Sequence, residues 1–236
     1  MIQLTNISYS YPKSSTLILD KLSCDFPSNG VVGLIGQNGA GKTTLLDIIS
    51  KNRLPLHGEV IVDSTDVLLL GQNMSFPNRM TALEAVEFTY LLNGLDVTIS
   101  INKFQQYLGS SGAKRWKNIS QKQMGFLSNG EYKWFCVVLC LSLEKEIYLL
   151  DEPTSGVDPE FRYEIWSLIQ MCAKDKNKLF IVSGHLLNEM GYYIEKLYFL
   201  KNGSLETFEN MDHFIEHFKG SHPDEAFVFA HSNSGQ

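Results

Sequence analysis

The chain has 236 residues, of which 44% are apolar and 19% charged, the balance of a soluble globular protein with room for one large domain or a domain carrying an inserted lobe. Its formal net charge of −6 argues against a general nucleic-acid binder, which needs a basic face, and no apolar run approaches the length that crosses a bilayer. The start Met1-Ile2-Gln3-Leu4 lacks the basic and apolar regions of a secretory signal, so a cytosolic, reduced protein is expected.

Ile2 to Phe26 alternates apolar and polar residues and is broken at Tyr11-Pro12-Lys13-Ser14-Ser15 and at Ser28-Asn29-Gly30. That pattern predicts a small antiparallel sheet feeding a buried strand, Val31 to Ile35. Next comes Gly36-Gln37-Asn38-Gly39-Ala40-Gly41-Lys42-Thr43-Thr44, which fits G-x-x-x-x-G-K-[ST] between that strand and the helix-like Leu45 to Ile49. Glycines let the loop backbone turn several N–H groups inward, and the helix dipole adds positive potential at the same spot. Lys42 is then placed for the β- and γ-phosphates of a nucleoside triphosphate and the Thr43 hydroxyl for Mg²⁺. Val60 to Val62 and Val67 to Leu70 read as further strands, and Gln72 to Arg79 as a polar, proline-containing loop.

Helical periodicity begins at Thr81-Ala82-Leu83-Glu84, a capping box. Asn93 to Asn118 is expected to be helical with breaks at Gly109 and Gly112, and Thr81 to Leu141 to form a helical lobe inserted between strands of the core. Cys136 and Cys140, four apart in an apolar segment, are expected as buried thiols on one helix face, and the four cysteines show no disulfide or zinc spacing. Ile147 to Leu150 is a short apolar strand that delivers Asp151-Glu152. Asp151 is suited to bind Mg²⁺ and Glu152 to orient and polarise an attacking water. Asp158-Pro159 opens a helix from Glu160 to Ala173. Leu179 to Val182 is another buried strand, and Leu197 to Leu200 the last before the Asn202-Gly203 turn. Strands alternating with helices imply a mostly parallel α/β sheet. His213-Phe214-Ile215-Glu216-His217 matches a zinc-peptidase pattern, H-x-x-E-H. An amphipathic helix burying Phe214, Ile215 and Phe218 explains it better.

With Leu127-Ser128-Asn129-Gly130-Glu131 the chain, from about Ile2 to Phe208, resembles the nucleotide-binding subunit of an ABC (ATP-binding cassette) transporter. The family's signature is usually Leu-Ser-Gly-Gly-Gln; Asn129 and Glu131 depart from it, while Ser128 and Gly130, which contact the γ-phosphate in the family, are kept. Ser128 and Glu131 also form a capping box for the next helix, and both roles can hold at once. The resemblance implies that Tyr11 stacks on adenine, although Tyr9 shares its strand parity, and that Gly36, Asn38, Gly39, Ala40, Gly41, Lys42, Thr43 and Thr44 hold ATP. It implies that Gln72 touches Mg²⁺ and the attacking water, that His185 is a switch residue at the γ-phosphate, and that Asp158, in Ser155-Gly156-Val157-Asp158, belongs to a loop crossing to the opposite subunit.

The fold so implied is a P-loop NTPase (RecA-like) core with an N-terminal antiparallel β subdomain and an inserted α-helical subdomain at about 73–141. The ATPase domain is expected over 1–208 and a C-terminal helix with a flexible tail over 209–236. Further implications are ATP and Mg²⁺ as cofactors, an ATP-dependent homodimer, an integral membrane permease subunit docking near Gln72 to Tyr90, and no nucleic acid. The protein would lie on the cytoplasmic face of the membrane, most like the ATPases of bacterial exporters. Two alternatives stay open: a soluble ATPase of the iron–sulfur assembly type, and a weakly hydrolysing ATP-dependent clamp, which Asn129 and Glu131 motivate.

Overall fold

The computed structural model describes residues 1–72 and 74–232, apart from the side chains of Ser100 and Ser110. Its contacts divide the chain into two compact units. The first comprises Met1–Gly71, Glu146–Ser155 and Ala173–Gln236, and the second Gln72–Lys145 and Gly156–Cys172.

In the first unit, β1 (Ile2–Tyr9), β2 (Leu19–Phe26) and β4 (His57–Val62) form the antiparallel sheet, with β1 in the middle. A second sheet runs β5-β6-β7-β3-β8-β9, where β3 is Gly30–Ile35, β5 Val67–Leu70, β6 Ile147–Asp151, β7 Leu179–Ser183, β8 Lys196–Lys201 and β9 Ser204–Phe208. The first five of these strands are parallel, and β9 closes the edge antiparallel to β8. Strand residues alternate between faces. On one face Val32, Leu34, Leu149, Ile181 and Tyr198 pack with β1, β2 and helix α1 (Lys42–Ile49) into a single apolar core. Each such side chain, taken wholly out of water, contributes about 1.5–3 kcal/mol.

Three expectations needed correction. Leu197 to Leu200 is not the last strand: the Asn202-Gly203 turn, with φ of 49° and 77°, returns the chain as β9. A two-residue Asn-Gly connection is the turn whose twist matches a hairpin. Gly112 does not break its helix, since α4 spans Gly109–Ile119 and a Cβ at Gly112 would sit 3.0 Å from the Trp134 ring. Close packing, not a kink, explains this glycine. The segment after Phe218, expected as a flexible tail, holds a second helix, Pro223–Ser232, and 233–236 lie outside the described residues.

That helix, α9, follows α7 (Leu187–Met190) and α8 (Met211–Phe218). Pro223 suits its first position, and Ala226 and Ala230 are buried one turn apart. Lys201 Nζ donates to the Ala230 carbonyl, and Phe199 on β8 meets Phe214, Phe218, Phe227 and His231 edge-on. The H-x-x-E-H string thus lies on a helix whose Phe214 is fully buried. Among the described residues no group of three or more metal-ligating side chains converges.

The second unit holds α2 (Ala82–Leu92), α3 (Val97–Gln106), α4, α5 (Asn129–Ser142) and α6 (Pro159–Ala173), the last residue of which falls in the first unit. The Thr81–Glu84 capping box is formed in both directions, and Thr81 pairs with Gln123 in an isolated bridge. The core is aromatic: Phe104 lies 4.7 Å from Trp116 and 5.9 Å from Phe135, whose ring is nearly parallel to Trp116. Cys136 and Cys140 are buried on α5, and burial pushes the Cys136 thiol up to about 12. Phe104→Ala is expected to cost about 3–5 kcal/mol through the void it leaves. Urea unfolding checks this, and a loss below 1 kcal/mol (roughly the size of an ordinary surface change) would place the core elsewhere.

Candidate functional site

Three neighbouring parallel strands, β6, β7 and β3, end side by side, and each delivers polar residues from its carboxyl end. Open α/β sheets bind ligands at such ends. β3 runs into the Gly36–Thr44 loop, β6 into Asp151-Glu152, and β7 into Ser183-Gly184-His185.

Gly36 touches β8: a Cβ there would lie 2.5 Å from the Leu200 carbonyl oxygen, so no side chain fits. Gly41 has φ of 108° and receives Leu45 N–H on its carbonyl, which turns the loop into α1. Gln37, Asn38 and Gly39 are exposed, and Ala40 N–H donates to Gln37 O. Lys42 is 6% exposed, and its Nζ donates to the carbonyls of Gly36 at 2.8 Å and Gln37 at 3.2 Å. Burial draws its ammonium below the usual lysine range, against the opposing pull of the Glu152 and Asp151 carboxylates. A cation is thus held beside the loop carbonyls with two carboxylates near enough to act on it.

Thr43 Oγ1 donates to Asp151 Oδ2 at 2.6 Å. Asp151 is buried, and its other oxygen accepts the Ser183 hydroxyl. Ser183 Oγ in turn accepts Glu152 N–H at 3.0 Å. One buried serine therefore fixes both acids, and sequence reading missed it; the available signal was a hydroxyl at the end of an otherwise apolar strand. Glu152 sits at φ of 51°, in the left-handed region, and its Oε2 is 3.7 Å from His185 Nδ1. His185 is half exposed. The hard oxygens of Thr43 and Asp151, on adjoining segments, are the donor set that Mg²⁺ takes.

Tyr11 is exposed, whereas Tyr9 is buried. Tyr11 Oη is 2.8 Å from Thr44 Oγ1, and the rings of Tyr9 and Tyr11 meet edge-on. The Arg53 guanidinium, a second group the sequence did not flag, lies 5.2 Å from both ring centres and pairs with Asp47 on α1.

The second unit carries Gln72, Ser128, Gly130 and Asp158. Gln72 is exposed at its first position, and Asp158 is exposed just before Pro159. Ser128 caps α5: its Oγ accepts Glu131 N–H at 3.1 Å, while Glu131 Oε2 accepts Ser128 N–H at 2.9 Å. Gly130 lies against the Phe161 ring, where a Cβ would come within 2.6 Å. The Asn129 side-chain amide donates to Gly156 O at 2.5 Å, joining the helix tip to the Ser155–Asp158 loop. The site residues thus fall into two groups, one in each unit.

Comparison with known proteins gives concordant findings. The family ABC transporter matches residues 19–155. The lipoprotein-releasing system ATP-binding protein LolD of Rickettsia bellii (strain RML369-C) is 30% identical over 219 residues, covering 87% of this chain and 97% of that protein. The energy-coupling factor transporter ATP-binding protein EcfA2 of Staphylococcus aureus (strain MRSA252) is 24% identical, covering 87% and 78%. Among solved structures, an ATP-binding subunit of an ABC transporter superposes with a TM-score of 0.81 at 19% identity, covering 97% of this chain and 98% of its own. A dimeric post-hydrolysis state of the ATP-binding cassette MJ0796 bound to ADP and Pi superposes with a TM-score of 0.75 at 20% identity, covering 89% and 98%.

Proposed function

The chain belongs to the ABC transporter family, and we propose that within it this protein drives a separate membrane-embedded permease, in the export direction, by closing as a homodimer around ATP. It is an ATP-binding subunit that hydrolyses ATP with Mg²⁺, as this family does. The observation that carries the catalytic reading is the convergence of Lys42, Thr43–Asp151 and Glu152–His185 at the ends of β3, β6 and β7.

The residue roles are those that the family resemblance implies, and that geometry supports the ones given to Lys42, Thr43, Asp151, Glu152 and His185. Lys42 and the amides of the Gly36–Thr44 loop bind the phosphates, and Tyr11, the exposed ring of its pair, stacks on the base. Thr43 and Asp151 would hold Mg²⁺, which neutralises charge on the phosphates when bound. Glu152 takes the proton of the attacking water, and His185 beside it orients the same region. Ser128 and Gly130 seal the nucleotide of the second copy, supported by the capped tip of α5. Asp158 approaches that copy through the loop tied to Asn129.

The permease reading draws on the relatives, whose descriptions are those of ATP-binding proteins within a releasing system and a transporter. Among the described residues no helix is long and apolar enough to cross a membrane. Such a subunit would sit at the cytoplasmic face through its partner. Co-purification from membranes tests this: an integral membrane protein is expected to accompany the chain, and recovery with cytosolic partners alone would favour the iron–sulfur assembly alternative. For direction, reconstituted vesicles containing the pair should move cargo away from the face that holds the ATPase; movement towards it overturns export.

Ser183→Ala is expected to raise the half-saturating Mg²⁺ concentration for ATP hydrolysis and to lower turnover by roughly 10–100-fold, the range for losing a group that orients a metal ligand. Unaltered Mg²⁺ dependence would free Asp151 from any need of that serine.

A further inference from the structure

The helix tip assigned above to a second copy's phosphate is acidic in this chain. Glu131 stands where the family carries glutamine, and a carboxylate in the first turn of α5 opposes the attraction that a helix N-terminus offers an anion. Two contacts restrain it. Glu131 Oε2 turns back to accept Ser128 N–H at 2.9 Å, and Oε1 lies 3.2 Å from Lys122 Nζ. Arg115, which lines a cavity of about 300 Å³ together with Lys114 and Glu131, pairs with Glu160 at 3.1 Å and Glu164 at 3.0 Å.

Lys122 is placed by its backbone. Its N–H donates to Ile119 O at the end of α4, and its carbonyl accepts Ala82 N–H at the start of α2. The pair lies at the surface, with 20% of the Glu131 side chain and 44% of the Lys122 side chain exposed. Burial alone would push the Glu131 carboxyl up, yet Ser128 N–H and Lys122 outweigh it and the group titrates below the usual carboxylate range. Glu131 is therefore a lasting charge, and a nearby cation is needed to cancel it.

We propose that Lys122 is a positioning residue for ATP hydrolysis, holding and neutralising Glu131 so that an acidic signature motif can accept the γ-phosphate of nucleotide bound to a second copy of the chain. The inference rests on the dimer reading above. It makes Glu131 a compensated substitution and argues against the clamp alternative, for which Glu131 was a sign of decay.

The test is ATP-driven dimerisation of the full chain in a Glu152→Gln background, followed by sedimentation at low and high ionic strength. Lys122→Met is expected to raise the ATP concentration for half-maximal dimer roughly fivefold at low ionic strength, the upper end for a part-exposed pair, and less when salt screens the charge. Adding Glu131→Gln should restore the background value, because the amide oxygen still accepts Ser128 N–H while the charge is gone. Either a Lys122→Met protein that dimerises like its background, or a defect that persists in the Lys122→Met/Glu131→Gln protein, overturns the role of Lys122 alone. A background protein that stays monomeric with ATP overturns the dimer reading and this inference together.

Discussion

Lys42→Ala should lower ATP hydrolysis by roughly 10²–10³-fold, the cost of removing one preorganised group aimed at developing charge. The lysine is 6% exposed, and the Gly36 and Gln37 carbonyls hold its ammonium at the loop. Alanine loses the cation and leaves those two carbonyls to water. Nucleotide affinity should fall along with turnover, because in its proposed role the lysine acts on the phosphates in the ground state as well. Isothermal titration with ATP together with steady-state hydrolysis checks both parts. Normal uptake and cleavage by the variant would remove the loop from the mechanism altogether.

Glu152→Gln is expected to separate those two quantities. The amide cannot take a proton, so turnover should drop by about 10²–10⁴-fold, the usual contribution of a positioned general base. Thr43, Asp151 and Lys42 are untouched, so ATP affinity should stay within a few-fold of the parent. A chain that binds but does not cleave should then accumulate as the ATP-bound dimer, visible as a doubled mass in sedimentation. Full hydrolysis by this variant would pass the base role to another group, and His185, 3.7 Å away, is the first to examine.

The parts of the site that could be read from sequence are those encoded by contiguous residues. The glycine loop, the apolar strand ending in Asp151-Glu152, and both capping boxes need only local spacing, and local spacing is visible in a string. Ser183 was missed because its role depends on β6 and β7 lying side by side, which brings together positions 31 residues apart. Arg53 escaped for a similar reason: it reaches across from the end of α1 to the rings of β1 and the loop after it. In the C-terminal segment the apolar run Ala226 to Ala230 follows Pro223, a local helix signal, but the surface it packs on is distant in sequence: Phe227 and His231 rest against Phe199. β9 is legible in principle, because Asn202-Gly203 is a hairpin turn in its own right.

Glu152 holds its left-handed backbone conformation while its N–H is fastened to the buried serine of the next strand. Any library of replacements at this position therefore mixes two sources of failure. Valine or isoleucine would lose function through backbone geometry as well as through chemistry, because branching at Cβ disfavours that conformation. Glycine accepts the conformation without penalty and brings no carboxylate, so it is the reference against which lost water activation can be weighed by itself.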